Sequence, residues 1–122
     1  GTTVEQVRQQ LQSVVGPKVD VAVIGTPISS PPSPLREDVI TAVTEAVHAI
    51  HPGVPIVPDQ APYATDGTFF RGAGLPTYGV AGIFMKESDE FAHGLNERVP
   101  VAAFYDGLTY WYVLLRRLAG EK

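Results

Sequence analysis

The sequence contains no cysteine among its 122 residues. Disulfide bonds and a cysteine–histidine nucleophilic pair are therefore excluded. The lack of cysteine does not indicate whether the protein works in an oxidising or a reducing compartment. No apolar run approaches the ~20 residues of a membrane helix, and the first residues carry no visible signal peptide. We expect no membrane partner. The localisation stays unknown, because cytoplasmic and periplasmic or secreted sites are both compatible with these absences.

Positive charge is also scarce. Nine lysines and arginines stand against 13 acidic residues, which gives a net charge of -4. Without a basic patch, nucleic acid is not an expected partner. No phosphate loop, dinucleotide-binding glycine pattern or Gly-x-Ser-x-Gly motif occurs. The composition includes 44% hydrophobic and 18% charged residues. Such a composition is typical of one ordinary globular domain.

The first 25 residues predict a helix followed by a strand. Thr3 and Gln6 have the spacing of a capping box, and valines and a leucine follow at helical intervals until Gly16-Pro17. Residues 19–24 are rich in β-branched side chains, which favour a strand. Residues 26–34 contain four prolines and predict an extended linker between two domains.

The remainder predicts an α/β domain over residues 35–122. A helix starting at Ser33-Pro34 leads to short strands at 54–57 and 77–81, with a brief helix between them capped by Asp66. Helices alternating with strands are typical of a parallel sheet. Pro100 begins a last amphipathic helix, whose aromatic stripe we expect in the core. That stripe comprises Phe104, Tyr105, Trp111 and Tyr112.

Residues 64–71 form the first loop that could carry chemistry. A strand end followed by Thr65, Asp66 and a helix start leaves backbone amides free to attract an anion. Thr65 could add a hydroxyl, and Arg71 could pair with a carboxylate. The alternative is that Asp66 is only a helix cap and Arg71 a solvated surface charge.

Residues 92–98 form the second such loop. Imidazole is a common metal ligand, and Asn96 and Glu97 are close enough in sequence to His93 to orient it. The alternative is an exposed loop histidine, because one histidine makes no metal site and a catalytic zinc needs about three protein ligands. His48 and His51, three residues apart, are better explained as solvated histidines at a helix end than as metal ligands.

Three motifs that follow one another in a fixed order are more specific than either loop alone. Ala-Thr-Asp-x-x-Phe-x-Arg comes first, then Ala-Gly-Leu-Pro-Thr-Tyr-Gly, then Ala-His-Gly-x-Asn-Glu-Arg-Val-Pro before the last helix. Over residues 33–119 this resembles the C-terminal part of M20 metallopeptidases, near the aminoacylase and carboxypeptidase members. Residues 3–24 resemble the closing helix and strand of that family's lid or dimerisation domain.

The resemblance implies a zinc-exopeptidase-like catalytic fold and metal-assisted hydrolysis of an amide by two zinc ions, with a glutamate as general base. It implies that His93 is a metal ligand and that Thr65 and Arg71 bind the substrate. Asp66, Asn96 and Glu97 would have supporting roles. The expected substrate is a small peptide or an N-acyl amino acid.

The remaining metal ligands and the general base of that family have no counterpart here. We therefore expect residues 1–25 to be a remnant of the lid domain, 26–34 a linker, and 35–122 the C-terminal part of a catalytic domain. The parent would be the hydrolase, while the chain alone would be inactive, bind zinc weakly if at all, and form a homo-oligomer. The alternative is a non-enzymatic α/β interaction or oligomerisation module.

Overall fold

A computed structural model describes residues 2–60, 63–89 and 91–120. Its secondary structure is helical throughout these ranges. The elements are α1 (Val4–Val15), α2 (Glu37–His48), α3 (Gly67–Gly72), a 3₁₀ turn (Glu87–Asp89) and α4 (Val101–Ala119). No described helix has both the length and the apolar character needed to cross a membrane.

The predicted α/β fold with parallel strands is wrong for the described residues, which contain no strand. Residues 19–24, 54–57 and 77–81 lie outside the helices, and no backbone ladder joins them in the described ranges. β-branched side chains favour an extended backbone, but a strand also needs a second backbone to exchange hydrogen bonds with it. The side-chain pattern behind the prediction carries no information about that partner.

The core lies where α2 packs against α4. Ala42 and Ala46 of α2 are completely buried, and Tyr110 and Leu114 of α4 expose only 1% and 2% of their surfaces. The ring of Phe84 meets that of Tyr110 edge to face, with centroids 5.9 Å apart. Burial raises the pKa of the Tyr110 hydroxyl. Small side chains on α2 thus let α4 approach closely enough to bury a large aromatic ring.

The aromatic stripe of α4 does not form the core, contrary to the prediction. Trp111 remains 41% exposed, and Phe104, Tyr105 and Tyr112 are more exposed still. The buried side consists instead of Ala103, Gly107, Tyr110 and Leu114. Because α4 is apolar around much of its circumference, periodicity alone does not determine which side packs.

The helix starts were predicted with mixed success. The capping box of α1 is confirmed, since the amide of Gln6 donates to Thr3 Oγ1 at 3.2 Å and the amide of Thr3 donates to Gln6 Oε1 at 2.7 Å. The start of α4 after Pro100 is also confirmed. The start of α2 at Ser33-Pro34 is wrong, because α2 begins at Glu37. The division into residues 1–25, 26–34 and 35–122 stays a prediction.

The chain exposes far more surface than a compact protein of its size. Its accessible surface is 10057 Å² at a mass of 13.1 kDa. A compact monomer of that mass exposes about 6,400 Å². The helices therefore form one packed pair with much apolar surface left uncovered.

Gly82 offers a test of the packing against α4. A methyl group on Gly82 would lie 2.6 Å from Tyr110 Cδ1 and 3.2 Å from the Gly107 carbonyl oxygen. Neither the buried ring nor the helix backbone can move cheaply, so we expect Gly82→Ala to lower the free energy of unfolding by about 1–3 kcal/mol. Urea unfolding of the chain measures this.

Gly79→Ala is the matched control, because a methyl group there would meet nothing within 4 Å. It should change stability by no more than about 0.5 kcal/mol. Equal stability of the two variants would contradict the described packing.

Candidate functional site

The two predicted substrate-binding residues lie around Gly67, the buried first residue of α3. A methyl group on Gly67 would lie 2.9 Å from Arg71 Nη1, 3.1 Å from Thr65 Oγ1 and 3.2 Å from Thr77 Cγ2. The Thr65 hydroxyl and the Arg71 guanidinium therefore border the same small volume, although six positions separate them in the sequence. The absence of a side chain at Gly67 lets these groups pack closely around it.

Among the described residues, the hydrogen-bond partners of the Arg71 guanidinium are neutral hydroxyl groups. Nε donates to Ser30 Oγ at 3.2 Å, and Nη2 donates weakly to Thr68 Oγ1 at 3.4 Å. No carboxylate forms a salt bridge with Arg71 in the described ranges. A half-buried guanidinium held only by hydroxyls has donors left with which it could bind a carboxylate.

The linker, residues 26–34, packs on the segment that follows α3. Ser33 Oγ donates to the Thr77 carbonyl at 2.8 Å and accepts from the Thr77 amide at 2.9 Å. The Tyr78 hydroxyl donates to the Pro34 carbonyl at 2.7 Å. Ser33 thus satisfies both backbone groups of a residue 44 positions away, rather than capping α2 as predicted.

Asp66 occupies the N-cap position of α3 as predicted, but its side chain makes no cap hydrogen bond. Its backbone is helical, with φ -58 and ψ -17, whereas a capping side chain usually stands on an extended residue. The amides of Thr68 and Phe69 donate to the carbonyls of Thr65 and Asp66. These two amides are therefore not free for an anion.

His93 lies in a loop of two successive turns. The Gly94 amide donates to the Phe91 carbonyl, and the Glu97 amide to the Gly94 carbonyl, each at 3.2 Å. The Arg98 guanidinium covers the Phe91 ring at 3.6 Å from its centroid and closes the loop. His93 has φ 61, a left-handed conformation that no other non-glycine residue adopts in the described ranges. The imidazole is exposed.

The described residues do not fit a complete metal site. No group of three or more histidine, aspartate or glutamate side chains that could hold a metal occurs among them. In the same ranges no hydrogen bond joins His93 to Asn96 or Glu97, which were predicted to orient it. His93 is thus available as one ligand, while a catalytic zinc needs about three.

Sequence reasoning missed the residues that hold the predicted ones in place. Ser30 and Ser33 lie in a proline-rich stretch whose composition indicates only a spacer, and Gly67 follows Asp66 as an ordinary turn glycine. Their contacts with Arg71 and Thr77 span 41 and 44 residues, so no local spacing could have revealed them.

Gly67→Ala should displace the Arg71 side chain without unfolding the protein. The new methyl group would crowd Nη1, the far end of a flexible side chain, so the change in unfolding free energy should stay below about 1 kcal/mol. The NMR signal of the Arg71 Nε–H group should nevertheless shift. Gly72→Ala, whose methyl group would make only an ordinary 3.7 Å contact with Ile28, should leave that signal in place. An unchanged Arg71 signal in Gly67→Ala would contradict the described geometry.

Most of the chain is similar to one family of known proteins. No curated protein and no solved structure matches the chain. A family model described as Peptidase family M20/M25/M40 matches residues 3–117. That range includes the loops of Arg71 and His93, helices α1 to α3, and α4 except for its last two residues. The chain belongs to peptidase family M20/M25/M40.

Proposed function

We propose that the chain is the C-terminal part of a longer zinc-dependent amidohydrolase, near the aminoacylase and carboxypeptidase members of its family. Membership of a peptidase family relates the chain to hydrolases that are generally metal-dependent. The observation that carries the proposal is the placement of Thr65 and Arg71 around Gly67, with no carboxylate on Arg71 in the described ranges.

Arg71 is proposed to bind the carboxylate of the substrate. Small peptides cleaved at their ends and N-acyl amino acids both carry a free carboxylate close to the amide that is hydrolysed. A guanidinium forms short, charge-assisted hydrogen bonds with such a group. The Thr65 hydroxyl, which like Arg71 Nη1 lies next to Gly67, would supply a further hydrogen bond to the bound molecule.

His93 is proposed to supply one ligand to a metal site that other parts of the enzyme complete. This agrees with the exposure of His93 and with the large accessible surface of the chain. The accessible area exceeds that of a compact monomer by about 3,700 Å². One standard protein interface covers only about 800 Å² on each partner. Packing within a larger folded unit explains that excess better than a single dimer contact, and the expected homo-oligomer stays a prediction.

The isolated chain should show no amidase activity at any zinc concentration, because the described residues provide no complete ligand set. In the longer enzyme, His93→Ala should lower kcat/KM by on the order of 100-fold or more, with loss of bound zinc. Both are measured by hydrolysis of an N-acyl amino acid and by metal analysis.

His48→Ala is the matched control, since the His48 ring forms a hydrogen bond of 3.0 Å with the Val54 carbonyl and lies at the end of α2. It should retain activity. If His93→Ala were equally active, a non-enzymatic interaction module would become the better reading of this chain, with the exposed aromatic stripe of α4 as its surface.

Arg71→Met in the longer enzyme should raise KM by about 10- to 150-fold, the equivalent of one charge-assisted hydrogen bond of about 1.5–3 kcal/mol. A substrate whose carboxylate is replaced by a carboxamide should be hydrolysed equally by both enzymes. Arg36→Met is the control, because Arg36 is exposed and paired with Asp38. An unchanged KM in Arg71→Met would refute the proposed carboxylate contact.

A further inference from the structure

We infer that Ser30, in the linker, is a positioning residue for Arg71. The inference rests on the proposed function, in which the Arg71 guanidinium binds the substrate carboxylate. Ser30 Oγ accepts a hydrogen bond from Arg71 Nε at 3.2 Å across 41 residues of sequence. Both side chains are half-buried, so the contact is partly shielded from water.

The contact determines which edge of the guanidinium is free. Nε carries a single hydrogen, and Ser30 accepts it. Each Nη atom carries two, of which Thr68 takes one from Nη2. The Nε hydrogen is therefore taken, and a carboxylate would bind through the remaining hydrogens of Nη1 and Nη2. Nη1 lies next to Gly67, and so does the Thr65 hydroxyl.

Ser30 can hold Arg71 because the linker itself is held. Three positions further on, Ser33 binds both backbone groups of Thr77, and Pro34 accepts from Tyr78. These anchors fix the linker to the chain segment that follows α3. An arginine side chain has many rotamers, and fixing one of them costs conformational entropy. Orienting it before the substrate arrives reduces the cost of binding, and this is the role of Ser30.

The test uses the longer enzyme and an N-acyl amino acid substrate. Ser30→Ala should raise KM about tenfold and leave kcat within about twofold, because only the orientation of Arg71 is lost. Ser30→Thr keeps the hydroxyl and should restore the wild-type KM. Ser29→Ala is the matched control, since Ser29 is exposed and forms no hydrogen bond in the described ranges. In an Arg71→Met background, Ser30→Ala should raise KM no further.

The outcomes separate the inference from the proposed function. If Arg71→Met raises KM and Ser30→Ala does not, the positioning role is wrong while the carboxylate contact stands. If neither variant changes KM, the proposed role of Arg71 fails and the inference fails with it. If Ser30→Ala lowers kcat and the melting temperature, or raises KM equally for the carboxamide substrate, Ser30 is merely structural and the inference is overturned.

Discussion

The close approach of α4 to α2 and to the chain around Gly82 is the constraint on which the rest of the structure depends. It is the one contact between described helices, and it buries Tyr110 and Leu114 against two alanines. Backbone meets backbone here, since a methyl group on Gly107 would stand 3.0 Å from the Gly82 carbonyl oxygen. Hydrophobic burial is thus concentrated at this contact, and other regions rely mainly on hydrogen bonds.

The candidate site is one of the regions that rely mainly on hydrogen bonds. Hydroxyl groups of Ser30, Ser33 and Tyr78 connect the linker to α3 and to the segment after it. Each such hydrogen bond contributes only about 1 kcal/mol to stability. These bonds therefore orient this part of the chain more than they stabilise it. Directional bonds would suit the proposed carboxylate site, because they fix the orientation of a side chain where apolar packing would not.

The sequence predicted those features that depend on neighbouring residues. The Thr3–Gln6 capping box and the start of α4 after Pro100 are local, and both were correct. Features that depend on distant partners were missed. Each predicted strand needed a second backbone to pair with, which no local pattern specifies. Ser33 forms hydrogen bonds with a residue 44 positions away instead of capping α2. Family membership could be read from three ordered motifs, whereas the contact between Ser30 and Arg71 required the folded chain.

Anchoring of the linker has a thermodynamic consequence that works in both directions. If docking of residues 30–34 improves anion binding at Arg71, then a bound anion must stabilise the docked linker by the same free energy. In that case the linker would not be a passive spacer, because its docking would depend on ligand concentration. It would then transmit occupancy of the site to the regions that it joins.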